Sequence, residues 1–311
     1  MKIVIPGGSG QVGRILARYF HAAGHEVTVL SRNPQPAQWR VASWDAAVRE
    51  LEGSDVCINL AGRSVNCRYH PANRRLMVDS RVDTTQALHE IIAALSHPPR
   101  VWLNASTATI YRHALDRAMD EVSGELGGNE AGAPEKWNSS IEVAKAWEAA
   151  FLGTRTPRTR KVAMRSAMTM SPDRGGVFDV LLRLVRYGLG GAQGGGAQYV
   201  SWVHEVDFAR AVEFLIEHDH FDGPVNIASP NPVPNAEFLR LLREVWGMRF
   251  GLPTPAWLLE FGAVFLRTET ELVLKSRRVV PGRLTAGGFT FRFPHWPAAA
   301  RELVDRWRAN H

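Results

Sequence analysis

The chain has 311 residues, of which 45% are hydrophobic, enough for a large core in one large domain or one domain with a smaller lobe. Its net charge of +6 rests on scattered arginines rather than on a block of like charges, so nucleic acid is not an expected partner. Cys57 and Cys67 stand alone, without a CxxC pair or a ligand cluster, which predicts reduced thiols and no metal. No apolar run approaches the roughly eighteen residues of a membrane span, and "MKIVIPGG" lacks the regions of a signal peptide. A cytoplasmic protein with no membrane partner is the resulting expectation.

In chain order, "KIVIPG" is apolar and β-branched, as a buried parallel strand should be. "QVGRILARYFHAAG" follows with Val12, Ile15, Leu16, Tyr19 and Phe20 at helical spacing, and Gly24 sits where a helix-ending glycine belongs. "HEVTVLSR" is a second strand and, after a variable stretch, "SDVCINLAG" a third. "RVDTTQALHEIIAAL" reads as a helix, "RVWLNASTATIY" as a strand, "SIEVAKAWEAAFL" as a helix, and "RKVAMRSAMTMSP" as a return to the sheet. Repeated β-α units of this length predict an α/β fold, a Rossmann-type doubly wound parallel sheet. "GLGGAQGGGAQ" is a loop around a ligand or at a lobe boundary. "YVSWVHEVDFARAVEFLIEHD" runs from strand to helix, and "GPVNIASPNPVPNAEFLRLLREVWG" from strand through a Pro/Asn turn to a helix. From Met248 on, short helices rich in Pro and aromatics form a smaller C-terminal substrate lobe. The expected division is a cofactor-binding domain over 1–175, rejoined by 200–230, and a substrate lobe over 176–199 and 231–311.

Gly7, Gly8, Gly10 and Gly13 satisfy both GxGxxG and GxxGxxG, with a strand before and a helix after. In that setting Gly7, Gly8, Ser9, Gly10, Gln11, Val12 and Gly13 are expected to cradle the pyrophosphate of a dinucleotide at a helix N-terminus. An NAD site carries Asp or Glu at the end of the second strand; here the residues are Ser31 and Arg32. A guanidinium there suits a 2′-phosphate, so NADP is preferred over NAD. Asp45 is placed to meet the adenine, and Leu60, Ala61 and Gly62 close the cofactor's other side through backbone contacts.

With these motifs, the ordered series "INLAG", "DSRVDTTQAL", "WEAA", "SPDRGG", "GLGG", "SWVHEVD", "GPVNIASPNPVPNAEF" and "SRRVVPGRL" resembles the extended and atypical short-chain dehydrogenase/reductases. More narrowly it resembles the YfcH-like subgroup of the epimerase family, with its small C-terminal domain. The resemblance covers nearly the whole chain. It implies a Rossmann domain, bound NADP and a substrate lobe built from the second half, without fixing a reaction.

Such reductases join a Ser or Thr at a strand end to Tyr-x-x-x-Lys on the next helix. The tyrosine moves the substrate's proton, and the lysine lowers its pKa and holds the ribose. Here Lys145 matches the lysine, but the tyrosine's position is Ile141, which moves no proton. Ser106 and Thr107 stand where the catalytic hydroxyl belongs, and Tyr111 is the best remaining phenol for proton transfer. The resemblance further implies Ser171 and Pro172 beside the nicotinamide. Gln198, Trp202 and His204 are pocket candidates, with Arg278 and Arg283 as candidates for an anionic substrate. Two readings stay open: an NADP-dependent oxidoreductase or epimerase-like enzyme acting on a small molecule, and a non-catalytic NADP(H) sensor. A homodimer through "RVDTTQALHEIIAAL" and "SIEVAKAWEAAFL" is compatible with both.

Overall fold

The structure, a computed structural model, describes residues 1–310 except 66, 129, 131–133, 135, 136, 267 and 268. Its elements run β1 (Lys2–Pro6), α1 (Gln11–Ala22), β2 (Glu26–Leu30), β3 (Arg40–Ala42), α2 (Ala47–Leu51), β4 (Val56–Asn59), α3 (Pro71–Ala94), β5 (Val101–Thr107), α4 (Asn138–Leu152) and β6 (Arg160–Ser166). They continue with β7 (Met168–Met170), α5 (Val177–Arg186), β8 (Tyr199–Val200), β9 (Trp202–His204), α6 (Glu205–Glu217), β10 (Gly223–Ile227), β11 (Val233–Pro234) and α7 (Asn235–Trp246). α8 (Ala256–Leu266), α9 (Glu271–Leu274), α10 (Gly282–Ala286) and α11 (Trp296–Asn310) complete the chain.

Seven strands form one parallel sheet in the order β10-β6-β5-β4-β1-β2-β3, the Rossmann-type arrangement expected from the sequence. The central strands are apolar at successive positions because both faces are covered. Ile3, Ile5, Val56, Ile58, Val101 and Leu103 face α1 and α6, where Leu16, Phe20, Val212 and Ile216 meet them. The intervening Val4, Cys57 and Trp102 face Leu88 and Ile92 of α3 and Phe151 of α4. A further apolar cluster joins α5, α7 and α11 through Phe178, Leu182, Phe238, Trp296 and Trp307.

Three details depart from the sequence reading. The variable stretch contains the edge strand β3, paired with β2. α3 begins ten residues before the expected "RVDTTQAL", at Pro71, whose missing N–H suits the first helical turn; the preceding His70 accepts a hydrogen bond from the Asn73 N–H. β7 and β9 leave the central sheet and pair with each other. No helix among the described residues is long and apolar enough to cross a membrane.

Candidate functional site

The sheet order reverses between β1 and β4, so a crevice opens at their carboxyl ends. The chain leaves β1 and enters α1 through Gly10, which caps the helix without any side-chain hydrogen bond, and the first turn holds no acid. The free N–H groups and the helix's partial positive charge therefore suit an anion. Across the crevice, the Asn59 side chain accepts a hydrogen bond from the Ala61 N–H (3.0 Å) and donates to Asn104 Oδ1 (2.7 Å). The Leu60 N–H donates to Pro6 O (2.8 Å). These bonds hold Leu60, Ala61 and Gly62 against the glycine turn.

The approach leaves no room for side chains at two glycines. A Cβ on Gly7, where φ is +74°, would stand 2.5 Å from Ala61 Cα. One on Gly13 would enter the Gly8 backbone. Gln11 packs its amide against Gly176, and its Nε2 is buried without a hydrogen-bond partner among the described residues. A glycine cradle, an uncapped helix start and an orphaned amide donor together fit a bound dinucleotide. Ser9 is exposed at the turn, and Val12 packs on the core beneath.

Ser31 and Arg32 follow β2 on the same side of the sheet. Ser31 Oγ accepts a hydrogen bond from the Asn33 N–H (3.2 Å), while Arg32 is exposed and makes no hydrogen bond or ion pair among the described residues. Asp45 is exposed just beyond β3, next to β2, with Ser43 Oγ 3.4 Å from its carboxylate. Ser171 and Pro172 are buried in the loop after β7, and Ser171 Oγ accepts a hydrogen bond from the Asp173 N–H (3.2 Å).

The proton-transfer side differs from expectation. Ser106 Oγ donates to Glu148 Oε1 (2.5 Å), and Arg165 grips the same carboxylate through Nε and Nη2 (2.8 and 2.7 Å). Tyr111 is 1% exposed; its phenol donates to Asn226 Oδ1 and accepts from Arg165 Nη1, both at 2.9 Å. Burial raises its pKa, against the opposing effect of Arg165. Ser106 and Tyr111 thus belong to an internal polar network rather than standing as free hydroxyls. Strand pairing is the reason: Ser106 lies opposite Arg165 in the β5–β6 register. Thr107 is half-buried; its Oγ1 accepts the Thr109 N–H (3.1 Å), and its own proton has no acceptor among the described residues. On α4, Ile141 is buried under Gly127, and Lys145 Nζ donates to Gly127 O (2.5 Å).

The three pocket candidates of the second half are likewise occupied. Gln198 Nε2 donates to Gln193 O (2.7 Å), Trp202 Nε1 donates to Asn231 O (3.2 Å), and the Trp202 ring packs edge-on against Trp296. His204 is fully buried, accepts the Val206 N–H at Nδ1 (3.1 Å) as the cap of α6, and pairs through Nε2 with Glu302 (2.8 Å). Trp202 and His204 thus bond within the framework, and Gln198 also donates to Val273 O (3.3 Å), tying one loop to the C-terminal segment. Arg278 lies over the Tyr199 ring, and Arg283 donates to Pro224 O (2.8 Å). Their neighbours were missed: Lys275 Nζ donates to Thr109 O and Arg277 Nε to Thr109 Oγ1, each at 3.0 Å. The "SRR" run held the signal, but sequence alone does not say which arginine turns inward.

With this geometry described, comparison places the chain. The model of the NAD dependent epimerase/dehydratase family matches residues 3–228. The chain belongs to that family. A domain of unknown function, DUF1731, matches 254–303 of the same family member. The human epimerase family protein SDR39U1 is 32% identical over 310 residues, covering 98% of this chain and all of that protein. An epimerase family protein of Staphylococcus haemolyticus (strain JCSC1435) is 28% identical over 98% of this chain and 99% of its own length. The crystal structure of human SDR39U1 (isoform2) with NADPH superposes with a TM-score of 0.85 at 31% identity, over 98% of this chain and 99% of that one. This family membership bears out the resemblance read from the motifs.

Proposed function

We propose that this chain binds NADP(H) in the β1–β4 crevice and acts as an oxidoreductase or epimerase-like enzyme on a small molecule. Arg32 carries the cofactor reading. It is an exposed guanidinium without a partner among the described residues, standing where a carboxylate would face the ribose of NAD. The NADPH named with the human relative supports it. In this reading residues 1–175 and 200–230 hold the cofactor, and 176–199 and 231–311 shape the substrate side. Asp45 meets the adenine edge, and Ser171 and Pro172 border the nicotinamide.

When bound, the nicotinamide supplies or takes up a hydride. The chain contributes position and a proton. Thr107 has its oxygen engaged by the Thr109 N–H, so its own hydrogen is free to bond a substrate oxygen. Lys145, on the part-exposed face of α4, holds the ribose. Ile141 moves no proton, so the proton comes from Thr107 or from water.

A second reading, an NADP(H) sensor without turnover, is favoured by one observation: Gly127 covers Ile141 and binds Lys145. The deciding experiment loads the protein with NADPH deuterated at the transferable position and exposes it to a metabolite extract. Deuterium in a metabolite establishes an enzyme and names its substrate. Cofactor binding without label transfer supports the sensor or an epimerase that returns its hydride.

A further inference from the structure

Three ionisable side chains of the 254–303 segment are buried where it meets the end of β5: Glu271, Lys275 and Arg277, exposed by 2%, 1% and 8%. Glu271 lies 3.9 Å from the Lys275 ammonium and 3.7 Å from the Arg277 guanidinium. It also accepts a hydrogen bond from Ser140 Oγ on α4, one residue before Ile141. Its second oxygen is buried without a hydrogen-bond partner among the described residues. Lys275 and Arg277 both donate to one residue, Thr109. The ammonium bonds its carbonyl and the guanidinium Nε its hydroxyl, each at 3.0 Å.

Docking of the segment does not call for these charges. Ser276 donates from its N–H to His113 Nδ1 (3.0 Å) and from its hydroxyl to Ala114 O (2.6 Å). The Met119 N–H donates to Arg278 O (2.7 Å), and the Val280 N–H donates to Met119 O (2.9 Å). Buried cations are costly, and neutral groups hold a segment without that cost. What the two cations hold is a short turn. Ala108–Ile110 is a single 3-10 turn, too short to be rigid on its own. The Thr109 N–H donates to Thr107 Oγ1 (3.1 Å), which fills one lone pair of that hydroxyl and restricts where its hydrogen can point. Gripped at its carbonyl and its hydroxyl, Thr109 cannot turn its N–H away from Thr107.

We propose that Arg277 and Lys275 are positioning residues: through Thr109 they fix the direction of the Thr107 hydroxyl. Glu271 couples that grip to α4, the helix that carries Lys145. Their part in the reaction rests on Thr107 bonding the substrate oxygen, the reading proposed above. The C-terminal segment then orients a reacting group, besides shaping the substrate side.

The test compares wild type with Thr109→Val, which keeps the branched shape and removes the acceptor of Arg277, and with Thr109→Ser, which restores that acceptor. Arg277→Met is a third variant; should it not fold, the two Thr109 variants carry the test. Each is read by label transfer from deuterated NADPH, by calorimetric NADPH affinity and by hydrogen exchange in mass spectrometry. Thr109→Val and Arg277→Met should lose about ten- to a hundredfold in transfer with NADPH affinity held within about twofold, and Thr109→Ser should recover most of that loss. In Thr109→Val, exchange should quicken over 107–111 and stay as in wild type over 275–280. Unchanged transfer in Thr109→Val overturns the proposal, as does an equal loss in Thr109→Ser. Faster exchange spreading through 275–280 also overturns it, because that marks docking alone. Should wild type transfer no label, the hydride-transfer reading fails by itself, and exchange in Thr109→Val decides. A rise confined to 107–111 then supports the grip on Thr107, and no rise overturns it.

Discussion

Arg165 and Arg81 are both more than nine-tenths buried, and each lies about one ring's reach from an aromatic, Tyr111 at 5.1 Å and Trp147 at 4.9 Å. Arg165 has a carboxylate in a two-pronged grip, a phenol as a further acceptor, and a serine sharing its counter-charge. Arg81 has one carbonyl of its own helix. The first cation is matched within the chain and locks β5, β6 and α4 together. The second is unmatched among the described residues and lies beside Gly62. The difference separates a charge matched by a carboxylate from one that has no counter-charge among the described residues.

Breaking the matched pair should give the largest effect. Glu148→Gln leaves Arg165 buried without a counter-charge and deprives Ser106 of a charged acceptor; we expect a loss of about 3–5 kcal/mol in urea unfolding. A neutral Arg81 variant, Arg81→Met, should instead leave the ligand-free protein as stable as wild type or more so, because it removes an uncompensated charge. Opposite signs from two equally buried arginines would be hard to explain by packing alone.

Lys275 sharpens the contrast, because an ammonium has a way out that a guanidinium lacks. It is fully buried, hydrogen-bonded to Thr109 O and 3.9 Å from Glu271. Burial, reinforced by Arg277, pushes its pKa down from 10.5 to about 8. Between those values the unfolded chain holds a proton that the folded one has released. Its contribution to stability therefore rises as pH climbs from about 8 to 10.5, by up to about 3 kcal/mol, and is unfavourable below that window. Urea midpoints measured across this range should rise more steeply for wild type than for Lys275→Met, and equal slopes would contradict the assignment.

Arg32 is the exposed counterpart of Arg81. Replacing it by Ala should weaken NADPH binding about ten- to a hundredfold, as for the loss of charge-assisted hydrogen bonds, and leave NADH nearly unchanged. Equal loss for both cofactors would move the 2′-phosphate away from Arg32.

How far the sequence spoke follows the same division. The β-α alternation and the glycine turn were legible because each rests on local periodicity and on glycines forced by close backbone approach. The place of Arg32 after β2 was legible, because it follows from the strand pattern. The internal bonds of Tyr111, Trp202 and His204 were not legible, because their partners, Asn226 and Arg165, Asn231, and Glu302, come from distant segments that no local pattern brings together. Arg81 had a local signal, an arginine at a core position of the 77–81–85–88–92 stripe. It was hidden because the helix was read as starting at Arg81, which cut off the turn that reveals the stripe.

The smallest effect tests the network's role most directly. Tyr111→Phe keeps the ring beneath Arg165 and removes only the hydroxyl. Arg165 retains its carboxylate, so one donor hydrogen and the Asn226 carbonyl oxygen lose a partner. The cost should be about 1–2 kcal/mol in the unfolding midpoint. Because the phenol is enclosed and its oxygen already both donates and accepts, NADPH affinity and any label transfer from deuterated NADPH should match wild type. Thr107→Val should show the reverse, a small change in stability with loss of label transfer, since its hydroxyl hydrogen has no internal acceptor among the described residues. A fall in transfer with Tyr111→Phe at unchanged fold would return the phenol to the reaction and mean that the β5–β6 end opens when ligand binds.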